Sequence, residues 1–139
     1  MREASEVTRL IRTAPCLTTV VLEWNALGQA RWSDQRDLCA AIESSPTLVA
    51  IDLRNNILGP EFGMELARVL RRNRTLATLD LRWNAMGPDA GAAIAEAMRD
   101  HNSTVVSLRL SGNTISERDM RTVEAACQRN AAGIPLAPE

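Results

Sequence analysis

Few side chains in this sequence could do covalent chemistry. His101 is the one histidine, and Cys16, Cys39 and Cys127 are the three thiols. A histidine in register with a serine or thiol could activate a nucleophile, and clustered cysteine and histidine could hold zinc. The spacing supports neither. His101 precedes Asn102 at a helix end with no nucleophile in register, and reads as helix-terminal or solvated. The thiols are odd in number and far apart, with no CxxC pair, which fits a reduced interior compartment. Cys39 reads as a core thiol, while the sequence places neither Cys16 nor Cys127. Asn25, Asn56, Asn84 and Asn113 resemble active-site polar residues only in isolation. Phosphate loops, acid–base pairs and metal clusters do not occur. The reading is of a chain that is not an enzyme, with no catalytic, cofactor-binding or metal residues and no cofactor.

The asparagines mark a repeat. LTTVVLEWNALG from Leu17, LVAIDLRNNILG from Leu48, LATLDLRWNAMG from Leu76 and VVSLRLSGNTIS from Val105 align as L-x-x-L-x-L-x-x-N-x-L. Their asparagines are spaced 31, 28 and 29 residues apart. This is the pattern and period of a leucine-rich repeat, with a short insertion in the first unit. The L-x-L core alternates with period two, so Val20 and Leu22, Ile51 and Leu53, Leu79 and Leu81, and Leu108 and Leu110 point inward from short strands. Helices are expected over 33–43, 63–71, 89–99 and 116–128. Met64, Ala67 and Leu70 are expected on the buried face of the second, and Ala90, Ile94, Ala97 and Met98 on that of the third. Strand, helix and parallel strand in series build an α/β solenoid: a short right-handed β-α superhelix, with parallel strands on the concave side and helices on the convex side. The asparagines then form a structural ladder for backbone groups at the strand ends. Gly28, Gly59 and Gly87 fall where the chain must turn sharply. Asn73-Arg74-Thr75 and Asn102-Ser103-Thr104 fit a glycosylation sequon but recur at equivalent repeat positions, and read as helix-end asparagine plus turn threonine.

Residues 1–16 carry the helix of an incomplete first repeat, over 5–13 with Val7, Leu10 and Ile11. Residues 17–128 hold four repeats, and 129–139 form a Pro/Gly/Ala tail. The first strand, expected over 19–22, therefore has an open edge, which predicts self-association or poor solubility.

Outward strand positions stack across the repeats. One row is Val21, Asp52, Asp80 and Arg109. The next is Glu23, Arg54, Arg82 and Ser111, and the third is Trp24, Asn55, Trp83 and Gly112. Glu23 neighbours Arg54, and Asp80 neighbours Arg109. The expected partner-binding surface is Glu23, Trp24, Asp52, Arg54, Asp80, Arg82, Trp83 and Arg109, because tryptophan and arginine are enriched at binding hot spots. Two readings of the tryptophans stay open and are compatible: a partner surface, or a local lid with arginine stems and cation–π contacts over the rings.

Composition narrows the partners. The chain has 139 residues and a formal charge of −1, which gives no global electrostatic case for nucleic acid or an anionic membrane. Apolar runs fall short of the roughly 18 residues of a membrane span. The first residues lack a secretory core, and Glu3 and Glu6 argue against a transit peptide. A 3% aromatic content implies an aliphatic core. The expected partners are other proteins, with no small-molecule substrate.

These residues resemble the ribonuclease-inhibitor class of leucine-rich repeats. More narrowly, the chain is similar to the leucine-rich repeat-containing protein 45 group. The residues that carry this are Leu22-Glu23-Trp24-Asn25-Ala26-Leu27-Gly28, Trp32, Asp34, Leu38-Cys39, Leu53-Arg54-Asn55-Asn56, Asn73-Arg74-Thr75-Leu76 and Leu79-Asp80-Leu81-Arg82-Trp83-Asn84. Gly112-Asn113, Ile115 and Val123-Glu124 extend it. The resemblance implies a non-catalytic scaffold or docking module of a cytoskeletal assembly (centrosome, basal body, cilium or flagellum), in the cytoplasm. The coiled coil of that group has no counterpart after Gln128, so its linking role does not carry over. The wider class also implies alternatives: a regulator in trans, such as an inhibitor or a GTPase-activating protein, or an accessory subunit of a large complex such as an organellar ribosome.

Overall fold

The computed structural model describes residues 3–138. The chain alternates helix and strand: α1 (Ala4–Thr13), β1 (Thr19–Val21), α2 (Trp32–Ser44), β2 (Ala50–Asp52), α3 (Pro60–Arg72), β3 (Thr78–Asp80), α4 (Gly87–Asp100), β4 (Ser107–Arg109) and α5 (Glu117–Ala131). The strands form one parallel sheet in the order β1-β2-β3-β4. Equivalent positions pair in register, so Val20, Ile51, Leu79 and Leu108 share one row, and Val21, Asp52, Asp80 and Arg109 the next. This is the leucine-rich repeat architecture.

Local chemistry explains the ends of the helices. Pro60 starts α3 three residues before the expected 63, because proline suits the first helical turn, where its missing N–H has no intrahelical partner to lose. Ser116 caps α5, its Oγ accepting from the Asp119 amide at 3.1 Å. The core is aliphatic. Leu53, Leu81, Leu48, Leu76, Ile42, Leu66, Leu70 and Ile94 are fully enclosed, and Phe62 is the one aromatic among them. Val20 and Leu108 are only half-buried, because β1 and β4 are the sheet edges. Met64 is 47% exposed, against the expectation that it lies inward. Steps of three fall behind the 3.6-residue turn, so the buried face of α3 runs through Phe62, Leu66, Val69 and Leu70 and leaves Met64 on its rim. Cys39 and Cys127 are buried and Cys16 is exposed. Burial in apolar surroundings raises the thiol pKa of both buried cysteines.

The strand ends are held by asparagine. Asn84 is buried, and its Oδ1 accepts from the Asn56 amide at 2.8 Å and the Leu58 amide at 3.3 Å. Its Nδ2 donates to the carbonyls of Leu53 and Leu81, each at 2.9 Å. Asn56 treats Asn25 and Leu27 the same way, and Asn113 treats Asn84 and Met86. Each side chain thus ties its own repeat to the one before. Asn25, half-buried at the start of the row, donates to the Leu22 and Glu23 carbonyls.

A second row runs along the opposite end of the strands. Asn73 and Asn102 are buried. Each accepts through Oδ1 from amides two and three residues on, and donates through Nδ2 to a carbonyl of the preceding helix, Ile42 and Leu70 respectively. The sequon nitrogens are therefore already bonded inside the protein. Asn130 extends the row by donating to the Val105 carbonyl, and the Arg129 guanidinium closes the end of α4 on the carbonyls of Met98, Arg99 and Asn102.

The glycines expected at sharp turns mark only some of them, and Gly28 lies in a tight 3-10 turn over Leu27–Gln29. Gly87 is left-handed, but Gly59 is extended with φ −94°. Gly28 matters by close approach as well, since a Cβ there would stand 1.9 Å from the Ile57 carbonyl oxygen. The recurrent left-handed positions flank each ladder asparagine: Trp24 and Ala26, Asn55 and Ile57, Trp83 and Ala85, Gly112 and Thr114.

Asn84→Ala would orphan two buried amides and two carbonyls, at about 1–3 kcal/mol each before relaxation. We expect urea denaturation to show a loss of about 3–5 kcal/mol for it, and a clearly smaller loss for Asn25→Ala at the half-buried start of the row. Equal losses at the two positions would show that the ladder does not bear the load.

Candidate functional site

The outward strand positions carry a lattice of charge. Asp52 and Arg54 lie two residues apart on one face of β2 and its extension, and Asp80 and Arg82 repeat this on β3. Arg54 donates from Nε to Asp52 Oδ1 at 3.0 Å and from Nη2 to Oδ2 at 2.7 Å. Arg82 makes the same two-pronged bond to Asp80, at 3.0 and 2.8 Å. Arg54 also meets Glu23 at 3.1 Å on one side and Asp80 at 3.5 Å on the other, so the pairs join across three repeats. The Arg54 side-chain hydrogen bond holds the Asp52 carboxyl below the usual carboxylate range, although partial burial opposes it.

Arg109 stands beside Asp80 in the register but does not pair with it. The Asp80 carboxylate is already engaged by Arg82 and Arg54, and among the described residues Arg109 makes no ion pair. The expected lattice therefore ends at β3, with an exposed cation on β4. The expected cation–π contact is also not formed. The arginine heads turn to the aspartates, and among the described residues no tryptophan ring contacts an arginine.

The tryptophans occupy the left-handed residue just before the ladder asparagine, with φ of 65° at Trp24 and 62° at Trp83. That conformation turns the side chain out of the strand, and the two are 70% and 60% exposed. The Trp83 ring lies over Gly112, its counterpart in the next repeat. A Cβ on Gly112 would stand 2.2 Å from ring carbon Cε3, so only glycine admits the indole there. One edge of the Trp83 ring is thus packed on backbone and the rest faces solvent, with no arginine stem over it among the described residues.

The sequence reading missed Ile57. It is 59% exposed and lies with Asn55 between the tryptophans, where they wall a shallow groove of about 320 Å³. It is also a β-branched residue at φ 59°, a conformation disfavoured by about 1–2 kcal/mol. The signal for it was available, because it follows a ladder asparagine. A separate concave trough of about 280 Å³ runs over Thr19, Asp52, Thr78, Asp80, Ser107 and Arg109. A third opening, about 630 Å³, lies at the free edge between β4 and α5. Among the described residues no group of three or more His, Cys, Asp or Glu side chains could hold a metal ion, and no helix is long and apolar enough to cross a membrane.

With Arg54 removed, the Asp52 carboxyl should titrate closer to its ordinary range. A folded pKa held below the unfolded one contributes stability above the ordinary carboxylate range, and that contribution is lost as pH falls through the folded value. Carboxyl NMR titration of Arg54→Gln should show the Asp52 pKa rise. The stability gap to the parent chain should narrow on moving from neutral pH to about pH 3. An unmoved Asp52 titration would show that Arg54 does not hold it.

Comparison with known proteins agrees with this architecture. The Leucine Rich repeat family matches residues 72–95 and 101–120. No curated protein matches the chain. Among solved structures, the chain is similar to the leiomodin-1 actin-binding site 2, with a TM-score of 0.69 and 18% identity over 91% of this chain and 88% of that one. It is also similar to the C-terminal domain of tropomodulin from Caenorhabditis elegans, with a TM-score of 0.57 and 13% identity over 93% of each. At these identities the likeness shows the fold. The narrower resemblance to the leucine-rich repeat-containing protein 45 group is not among the matches.

Proposed function

We propose that this chain is a non-catalytic docking module that binds another protein of a cytoskeletal assembly. The observation that carries the reading is the rail of Trp24, Ile57 and Trp83 beside the neutralised Asp–Arg lattice. Exposed tryptophans on a rigid sheet edge give large contact area at small entropic cost, and paired arginines keep their geometry before a partner arrives. The backbone strain at Ile57 and Trp83 fits a surface kept for contact, since left-handed non-glycine residues cluster at functional sites.

The cytoskeletal part rests on two supports of different kind. One is the resemblance carried by the Glu-Trp-Asn and Arg-Trp-Asn motifs, which points to centrosome, basal body, cilium or flagellum. The other is that one protein of the same fold is named for binding actin. In this reading Glu23, Asp52, Arg54, Asp80 and Arg82 set polar register, Trp24 and Trp83 supply the anchors, and Arg109 offers an unpaired cation to an acidic partner group.

The test is co-sedimentation of the purified chain with actin filaments and with microtubules, alongside localisation of the tagged chain. Binding to one of the two is expected. Trp83→Ala with Arg54→Ala should weaken it about tenfold or more. If the double variant keeps every partner and only its melting temperature falls, the surface is structural. A wholly diffuse cytosolic pool with no cytoskeletal fraction would overturn the cytoskeletal assignment.

A further inference from the structure

We propose that the free edge of β4, beside α5, binds one extended segment of another protein as a fifth parallel strand. That segment carries an acidic residue beside Arg109 and an asparagine at the next ladder position. The inference rests on the docking reading for Arg109 alone and needs neither tryptophan. Four observations support it.

First, the edge presents an ordered row of donors. In each of the first three repeats, four amides bond to the repeat that follows. Leu22, Leu53 and Leu81 donate to the carbonyls of Asp52, Asp80 and Arg109 at 2.8–2.9 Å. Trp24, Asn55 and Trp83 donate to those of Arg54, Arg82 and Ser111. The amides of the ladder asparagine and of the residue two further on go to Oδ1 of the next asparagine. The same four after β4 are Leu110, Gly112, Asn113 and Ile115, and none has an acceptor among the described residues. Leu110 and Asn113 are 2% and 1% exposed, so solvent serves their amides poorly. Two strand carbonyls and one asparagine side chain satisfy each of the other three sets.

Second, the place is apolar and has room. The opening of about 630 Å³ between β4 and α5 is lined by Leu108, Met120, Val123 and Cys127. Leu108 is half-buried, whereas Ile51 and Leu79 of the same row are covered between two strands. Alternate apolar side chains of an added strand would enter this opening and cover Leu108.

Third, charge selects the segment. An in-register strand sets one residue beside Arg109, in the row of Val21, Asp52 and Asp80. Arg109 is exposed and makes no ion pair among the described residues, so an acidic residue there meets an uncommitted guanidinium. The pattern that fits is apolar-acidic-apolar-x-x-Asn.

Fourth, the described chain does not supply this strand. In the helix layer α1 packs on α2 as α4 packs on α5. A second copy entering by its β1 would bring its α1 to the place that α5 holds, so two intact copies collide. The tail turns away. The Ile134 N–H donates to the Arg129 carbonyl at 3.1 Å, whereas Val106, 28 residues earlier, donates to Ala77 of the preceding repeat. Ser107 donates to that same carbonyl, and its counterpart Pro135 has no amide to give. Strand addition at an exposed edge draws affinity from main-chain bonds and specificity from alternate side chains.

The test titrates a synthetic peptide of residues 48–58, which carries the pattern as Ile51-Asp52-Leu53-Arg54-Asn55-Asn56, into the purified full chain while backbone amides are followed by NMR. The amides of Leu110, Gly112, Asn113 and Ile115 should shift and exchange more slowly, and those of β1 should not. The Asn56→Leu and Asp52→Arg peptides should each bind about tenfold or more weakly. Arg109→Glu in the chain should reverse the charge preference, so that the Asp52→Arg peptide binds better than the parent peptide. Unmoved edge amides, equal binding of the variant peptides, or an unchanged preference in Arg109→Glu would overturn the proposal. So would slow exchange of these amides without peptide. In dilute monomer that result would assign the edge to the chain's own tail, and where sedimentation shows a dimer, to a second copy. No filament enters this assay, so its outcome and that of the co-sedimentation test are read separately.

Discussion

The rest of the structure depends on how the strand ends dispose of their backbone polar groups. A parallel strand of three residues must turn into a helix over a few residues, and that turn is packed against two neighbours where water does not reach. Every amide and carbonyl in it needs a partner. The primary amide of asparagine is short, and it both accepts and donates. It can reach back to the previous repeat and its own strand at once. Asn56, Asn84 and Asn113 do this with the same set of bonds. An apolar residue there would leave those groups bare, and aspartate would lack the donors.

The ladder has a geometric consequence on which the candidate function rests. To present its amide inward, each asparagine is flanked by residues in the left-handed region. Those flanking side chains are thrown outward onto the rim of the sheet. The same turn that closes the core therefore creates the row on which Trp24, Ile57 and Trp83 stand. Core and surface are two sides of one backbone solution, and their period is the same.

Register imposes a second constraint. In-register parallel strands place like on like, so Asp52 neighbours Asp80 and Arg54 lies beside Arg82. Stacked like charges repel. Placing the opposite charge two residues on along the same strand resolves this, because each arginine folds back on its own aspartate, and Arg54 also bridges to Asp80 of the next repeat. The aspartates are thereby spent, which is why Arg109 finds no partner although it stands next to one. Sequence reasoning could place these residues in rows, because rows follow from the repeat alone. It could not say which carboxylate each guanidinium takes, since that depends on side-chain reach. The helix faces show a similar limit. Leu and Ala positions were legible through the period, but Met64 was misplaced because a three-residue count drifts from the true turn. Glycine marked the turns at Gly28 and Gly87 but not the recurrent ones, because the ladder bonds there hold tryptophan, isoleucine and alanine in left-handed backbone.

A repeat surface differs from an ordinary one in carrying its own ruler. The backbone positions of Trp24 and Trp83 are two strand spacings apart, although the Trp83 ring leans over Gly112. A partner that spans two repeats can meet both exposed rings, while one that spans a single repeat meets only one. Selectivity of this kind needs no deep pocket, which fits a groove that is shallow and open. Asn55 in the middle position leaves the groove between the two rings open. A ring there would halve the interval and close the groove that the other two define.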